Sequence, residues 1–338
     1  MKDIPSHKLN FRNNIAYEIN SETPFTGNEV QYFTTGEIQY KFSYKDGKLE
    51  GESISYYFSG QWNAKQNWKK GVLNGPYEEY YENGQLETKN TYKNGLREGP
   101  YESYYHNGQL RSVQNYKEGL MDGLCEHYGE NGKLRLMENY KKGELNGPYE
   151  EYYENGQLEI KGNYKNGLRN GSTETYNENG KLKTKVTYLN VNDEETFTEV
   201  RDGPYERYYE NGQLEIKGSY KKDKQDGSYE RYYENGQLEI KGNYKNGLRE
   251  GILEKYFENG KLIYKINFKN GLKEGPYEKY FKNGESEKGF YSNDLQEGTG
   301  EIYYKNGVLK ERVNYRKGLK NDPIEKFDED GKLITKKN

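Results

Sequence analysis

Residue types suited to catalysis are scarce in this chain. It has 3 histidines (His7, His106 and His127) and 1 cysteine, Cys125. A histidine-centred triad needs a nucleophile and an orienting acid around one imidazole, and no spacing here gathers such a set. Cys125 and His127 stand two residues apart, which puts both on one face of a strand. Zinc asks for three or four such ligands. The sequence places no third one beside this pair, so the pair reads as structural and no metal or cofactor is expected. A lone cysteine also excludes an internal disulfide framework. Gly-x-x-Gly strings abound, but none joins a strand to a helix, the setting that a phosphate loop requires.

Carboxylates are plentiful and regularly spaced. Glu78, Glu102, Glu126, Glu150, Glu174, Glu206, Glu230, Glu254, Glu278, Glu301 and Glu325 form one column. Hydrolysis by paired carboxylates uses two acids at a set separation in one pocket, and so many equivalent positions argue against a unique active site. Two readings of the column remain. Each carboxylate could accept a hydrogen bond from a tyrosine hydroxyl of its own or the next repeat. Alternatively, the ladder presents acid to a basic partner segment. Aromatic residues interleaved with charge are the other binding candidates, because tyrosine offers contact area and a hydrogen-bonding tip at low entropic cost. The candidate surface is therefore Tyr81, Tyr105, Tyr153, Tyr209, Tyr233, Phe257 and Phe281, with Glu78, Glu102, Glu150, Glu206, Glu230 and Glu278.

Composition says what kind of element must carry these residues. Of 338 residues, 31% are hydrophobic and 15% aromatic, with 38 tyrosines against 11 phenylalanines. Few aliphatic residues would suggest disorder, but disordered chains are poor in aromatics. An ordered but thin fold, covered on one face, reconciles the two. The formal net charge of −3 gives no electrostatic case for nucleic acid. No apolar run reaches membrane-spanning length. The start, MKDIPSHKLNFRNN, lacks an apolar signal segment. Either the protein is cytoplasmic, or a leader preceded this numbering and the protein belongs to the cell envelope.

A period of about 24 residues organises the chain. It is clearest in GPYEEYYENGQLETKNTYKNGLRE (75–98) and GPYEEYYENGQLEIKGNYKNGLRN (147–170). About thirteen units begin near residues 27, 51, 75, 99, 123, 147, 171, 203, 227, 251, 275, 298 and 322, after a lead-in segment 1–26. One unit carries an insertion of about eight residues within roughly 189–202, and the unit at Gly275 is one residue short. Asn-Gly pairs close most turns, the strongest short hairpin signal. The expected fold is all-β: an elongated single-layer antiparallel meander of tandem hairpins. With about 25 strands spaced ~4.8 Å apart it would extend on the order of 120 Å, twisted into a curved trough.

A three-residue loop with glycine in a bulge pairs Tyr152 with Leu158. It also sets Arg207 opposite Glu215, Arg231 opposite Glu239 and Lys279 opposite Glu287. Simple alternation from that register collects Tyr80, Tyr104, Tyr152 and their equivalents on one buried face. With them go the leucines (Leu86, Leu110, Leu158), a second aromatic column (Tyr92, Tyr116, Tyr164) and the glutamate ladder. Tyr81 and its equivalents fall on the polar face, as do Cys125 and His127.

The pattern G-x-Y-x-x-Y-Y-x-N-G-x-L, followed by a tyrosine and a Lys-Asn-Gly turn, resembles the MORN-repeat variant, the bacterial form found in YwqK-family antitoxin components. The resemblance covers about residues 27–338. It implies a hairpin array, and a role in protein–protein contact or, for some such arrays, in attachment to phospholipid. The expected function is a non-enzymatic scaffold binding a protein partner or a second copy of itself, in an antitoxin-like or cell-envelope adhesion role. A lipid- or glycan-binding module at a membrane or cell surface is the alternative. The even mixture of charge signs weighs against strong attraction to anionic membranes.

Overall fold

The computed structural model describes residues 2–193 and 196–337. Backbone contacts group them into two compact units, Met1–Leu168 and Arg169–Asn338. Both are β-meanders in which consecutive strands pair in chain order, and the helical content among the described residues is one short 3-10 turn, Ser6–Lys8. The tandem-hairpin expectation is met.

One repeat shows why the sequence folds this way. Strands Gly99–Tyr104 and Leu110–Lys117 flank a loop in which Tyr105 N–H donates to the Gln109 carbonyl and Gly108 N–H to the Tyr105 carbonyl, both at 2.8 Å. Gly108 has φ +83°, the left-handed conformation that ends a three-residue loop without steric cost. Tyr104 therefore faces Leu110, as Tyr152 faces Leu158.

The ladder then slips. Ser103 pairs with Ser112, so Arg111 is an unpaired β-bulge residue. Glu159, Glu215, Glu239 and Lys310 occupy the same place in their hairpins. In the short repeat Tyr280 faces Ser286, Lys279 faces Glu287 and Glu278 faces Lys288 with no slip. The residue missing from that repeat is the bulge itself.

A one-residue slip sends every later side chain to the other face, and this corrects the predicted division. One face carries Tyr77, Glu79, Thr88, Asn90 and Tyr92, while the other carries Pro76, Glu78, Tyr80, Leu86, Lys89 and Thr91. The packed face is the first of these. Its third-position column, at two residues after each leading glycine, includes Ser53, Cys125, Leu253 and Tyr277, all at most 4% exposed. Rings meet at steep angles across its hairpins, Tyr149 with Tyr164 at 5.3 Å and Tyr229 with Tyr244 at 5.5 Å between centroids. The Tyr80 column and the glutamate ladder lie on the opposite, lysine-bearing face.

The second turn is tighter. Lys117 pairs with Leu120 around Glu118 (φ +52°) and Gly119 (φ +82°), the mirror-image turn that suits twisted strands. Asparagine fills the first of these positions in several repeats (Asn94, Asn246, Asn270), and Lys70 and Lys142 adopt the same φ elsewhere.

Each second turn is bonded to the turn before it. Gly119 N–H donates to the Arg97 carbonyl (2.9 Å), and Glu118 N–H to the Glu98 carboxylate (2.9 Å). The same pair of bonds joins Gly143 and Lys142 to Met121 and Asp122, and Gly271 and Asn270 to Arg249 and Glu250.

The ends and the insertion follow from these rules. In the lead-in segment, strand Asp3–Pro5 runs parallel to Gly27–Tyr32, and Ile4, Leu9, Ala16 and Phe25 form a core with Tyr44. The first hairpin's edge strand is thereby paired, as sheet ends require. The insertion lengthens a hairpin: Leu182–Asp193 pairs with Thr196–Tyr208, Leu189 facing Val200. It renews the turn clamp through Arg201, whose backbone N–H and Nε both donate to Asp223.

Deleting Glu159 is expected to close the bulge into the register of the Gly275 repeat at a cost of at most about 1–2 kcal/mol. A thermal melt of the deletion variant against the parent chain measures this. Loss of cooperative unfolding would show instead that the bulge residue is required.

Candidate functional site

Most glutamates of the ladder are engaged by a tyrosine of their own strand; Glu325, with Phe327 in the tyrosine's place, is met by Arg312 and Lys336 instead. Tyr80, Tyr104, Tyr128, Tyr208 and Tyr232 donate their hydroxyls to Glu78, Glu102, Glu126, Glu206 and Glu230 at 2.5–3.0 Å. Tyr152 donates to Glu150 in the same manner, and Tyr280 to Glu278 at 2.9 Å. Cations of the same face add to several rungs: Lys185 to Glu174 (2.9 Å), Lys241 to Glu254 (3.0 Å) and Arg312 to Glu301 (3.1 Å). The hydrogen-bonded reading of the ladder is the geometry observed.

Burial, then the glutamate acceptor, pushes the hydroxyls of Tyr80, Tyr104, Tyr152, Tyr208 and Tyr232 up to about 12. A tyrosine whose folded pKa exceeds its unfolded value of about 10 stabilises the fold fully below pH 10 and loses that contribution as pH rises toward 12.

The Tyr81 column holds adjacent repeats together. Tyr57, Tyr81, Tyr105, Tyr209 and Tyr233 each donate a hydroxyl to the backbone carbonyl of the tyrosine that ends the next repeat's first strand, at 2.7–2.9 Å. Tyr153 occupies the same column, half-buried. This column lies on the packed face rather than on the polar face. Phe257 and Phe281 stand in it without a hydroxyl. With Tyr233 they line an open cavity of about 1020 Å³, edged by Glu258, Asn259, Lys261 and Glu285. Three predicted candidates are thus brought together there, whereas the others are spread one per repeat.

Arg207 and Glu215 form the expected bidentate pair (2.6 and 2.7 Å), as do Arg231 and Glu239 (2.5 and 2.6 Å). In both pairs the acid reaches from the bulge, not from the directly opposed position. Arg231, then desolvation acting the other way, sets the balance at Glu239, whose pKa is lowered.

Cys125 and His127 also lie on the packed face. Sγ and Nε2 are 3.3 Å apart, and Glu138, paired with Cys125 across the hairpin, brings a carboxylate oxygen into the same cluster. The expectation that no third ligand stands nearby is corrected: the bulge at Arg135 shifts the ladder by one residue and sets Glu138 opposite Cys125. Burial, then Glu138 and Glu126, raises the Cys125 pKa to about 11, the reverse of what an activated nucleophile needs.

Sequence reasoning overlooked one surface. Val72, Leu96 and Leu120 in the first unit, and Leu248, Leu272, Leu295 and Leu319 in the second, are 43–74% exposed at the second turns. Each is the residue that follows the turn pair, so its recurrence in the repeat could have revealed it. In the ladder Lys69 faces Val72, Lys93 faces Leu96, Lys117 faces Leu120 and Lys269 faces Leu272.

Tandem hairpins, most of them bulged and bonded within each unit through their second turns to the hairpin before, define an all-β tandem-repeat protein. The family model described as "MORN repeat variant" matches residues 25–46, 73–94, 97–118, 121–142, 145–166, 169–190, 201–222, 225–246, 249–270 and 296–317. These segments make up more than half of the chain, which belongs to that family. No curated protein matches it. Among solved structures it is similar to chains of the TcdB2-TccC3-Cdc42 and TcdB2-TccC3 crystal structures, at 13% identity and a TM-score of 0.18. The match covers 89% of this chain but only 18% of those, and so low a score bears on neither fold nor function.

Replacing Tyr209 by Phe is expected to cost about 1 kcal/mol, the net worth of one hydroxyl–carbonyl bond, measured by denaturant unfolding. The array as a whole is expected to unfold between about pH 10 and pH 12, as its tyrosines ionise in the unfolded chain first. Circular dichroism and tyrosinate absorbance recorded along one alkaline titration test this. Ionisation near pH 10 with the fold intact would contradict it.

Proposed function

We propose that the chain is a non-enzymatic repeat scaffold that binds a protein partner along its second-turn edge. The observation that carries this reading is the run of exposed apolar residues in each unit, most of them opposite a cation. Side chains 43–74% exposed at matching places in successive repeats form an apolar surface of the kind that marks interaction sites. The row costs the fold nothing to keep in register, because the turn-to-turn bonds already fix its spacing. An antitoxin-like role, or one in cell-envelope adhesion, is the finer form of the proposal, and a toxin-like gene beside this one would favour the former.

The lysine–leucine pairing favours a second reading, docking on an anionic lipid surface, where leucines enter the interface and lysines meet headgroups. Acidic residues cap the same turns, Glu98 at Glu118 and Glu250 at Asn270. They offset much of that charge, so the protein partner is preferred.

Substituting Leu96, Leu120, Leu248 and Leu272 by Ser is expected to leave the melt within about 1 kcal/mol of the parent while abolishing recovery of a specific protein from the native cell. Recovery unchanged by the substitutions would remove the edge from the proposal. Flotation with liposomes containing acidic lipid, sensitive to the same substitutions, would favour the lipid reading instead.

A further inference from the structure

We propose that Cys125, His127 and Glu138 form a binding site for a divalent transition-metal ion of the zinc type. Their ligand atoms all lie within 4.8 Å of one another. Cys125 Sγ and His127 Nε2 are 3.3 Å apart. Zinc bonds of about 2.3 Å to sulfur and 2.0–2.1 Å to nitrogen at a tetrahedral angle require a separation of roughly 3.6 Å. The two atoms stand within a few tenths of an ångström of that. Thiolate, imidazole and carboxylate together suit a borderline-soft ion rather than magnesium or calcium.

The hairpin itself is built to hold them. Residues two apart on one strand project to the same face, and Glu138 is the cross-strand partner of Cys125. No other repeat has a cysteine or a histidine at the places of Cys125 and His127. Where Cys125 stands, the adjacent repeats have Tyr101 and Tyr149, each with its ring against a second tyrosine, Tyr116 or Tyr164. Where Glu138 stands, the following repeat has Gly162, which faces Tyr149. Replacing a tyrosine by cysteine removes a ring from the packed face, and replacing the opposed residue by glutamate points a carboxylate into the space left.

The surroundings complete the site. Tyr140 donates its hydroxyl to Glu138 Oε2 at 2.9 Å, which fixes one carboxylate oxygen and leaves the other to the ion. His127 also lines a cavity of about 290 Å³ with Tyr101, Ser112 and Gln114. Its lining includes neither Cys125 nor Glu138, so it offers an approach to the site from the imidazole side. Arg135, the bulge residue of this hairpin, runs its stem over Gly129.

The test uses the full chain, stripped with a chelator and titrated with Co²⁺, then displaced by Zn²⁺. The expected result is one equivalent bound, with a thiolate-to-cobalt charge-transfer band that Zn²⁺ removes. Cys125→Ser should abolish the band. His127→Gln and Glu138→Gln should each weaken binding by at least ~10-fold, and His106→Gln should leave it unchanged. Far-UV circular dichroism on every variant separates lost ligation from lost folding. A parent chain indistinguishable from Cys125→Ser would overturn the site. Unaltered affinity in Glu138→Gln would overturn the three-ligand assignment.

Discussion

The bond between one second turn and the next is the interaction on which the rest depends. A single-layer sheet has no second layer to bury its faces, so each hairpin is stabilised mainly by the hairpins beside it. Ladder bonds alone would fix neighbouring strands but not the turns that end them. Here the turn glycine N–H donates to a carbonyl of the preceding repeat, and the residue before it donates to that repeat's acid or amide, as with Asn94 and Asn74. At about 1 kcal/mol net per bond, two such bonds in each repeat rival the stability of an isolated hairpin, which is marginal. They also set one spacing for everything the turns carry.

The same thinness explains the preference for tyrosine over phenylalanine. A ring lying on an uncovered face packs sideways while its far end meets water or a neighbour's polar group. A hydroxyl there finds an acceptor: Glu78 for Tyr80, Glu79 for Tyr77, a backbone carbonyl for Tyr81. Phenylalanine occurs where that acceptor is forgone, as at Phe257 and Phe281, and there an open cavity of about 1020 Å³ lies. Packing and hydrogen bonding are thus supplied by one residue type, which is why so aliphatic-poor a chain folds.

Turn chemistry and period made the array legible in the sequence. Asn-Gly pairs fixed both turns, and the loop length gave Tyr152 against Leu158 correctly. What alternation could not give was the face of every residue beyond the bulge, because a bulge is a backbone event that any residue can occupy: Arg111, Glu159 and Lys310 all do. The clue was the repeat one residue short. Tyr280 keeps its distance to Ser286, but Ser286 lies one residue closer to Tyr291 than Leu158 does to Tyr164, so the deletion falls just past the loop. Missing that slip put the Tyr80 column and the glutamates on the packed face and Cys125 off it. It also hid Glu138, whose only relation to Cys125 is across the corrected ladder. Of the candidate surface, Tyr233, Phe257 and Phe281 do converge, while Tyr81, Tyr105 and Tyr209 spend their hydroxyls on structure.

Repetition constrains how such a protein can bind. A contact made by one leucine and one lysine is weak, but it recurs in register at several successive second turns. A partner that spans several turns makes its later contacts at high effective concentration, and affinity then rises steeply with the number of turns engaged. The cost of breaking the pattern falls on that series wherever a turn departs from it, as at Glu144 and Lys224, where the leucine is absent. The Cys125 hairpin differs in kind. It departs from the pattern on the packed face, and its own second turn, where Lys141 faces Glu144, lacks the leucine as well. The two features are nevertheless positioned by different parts of the repeat: the edge by the turn bonds, the packed face by the register beyond the bulge.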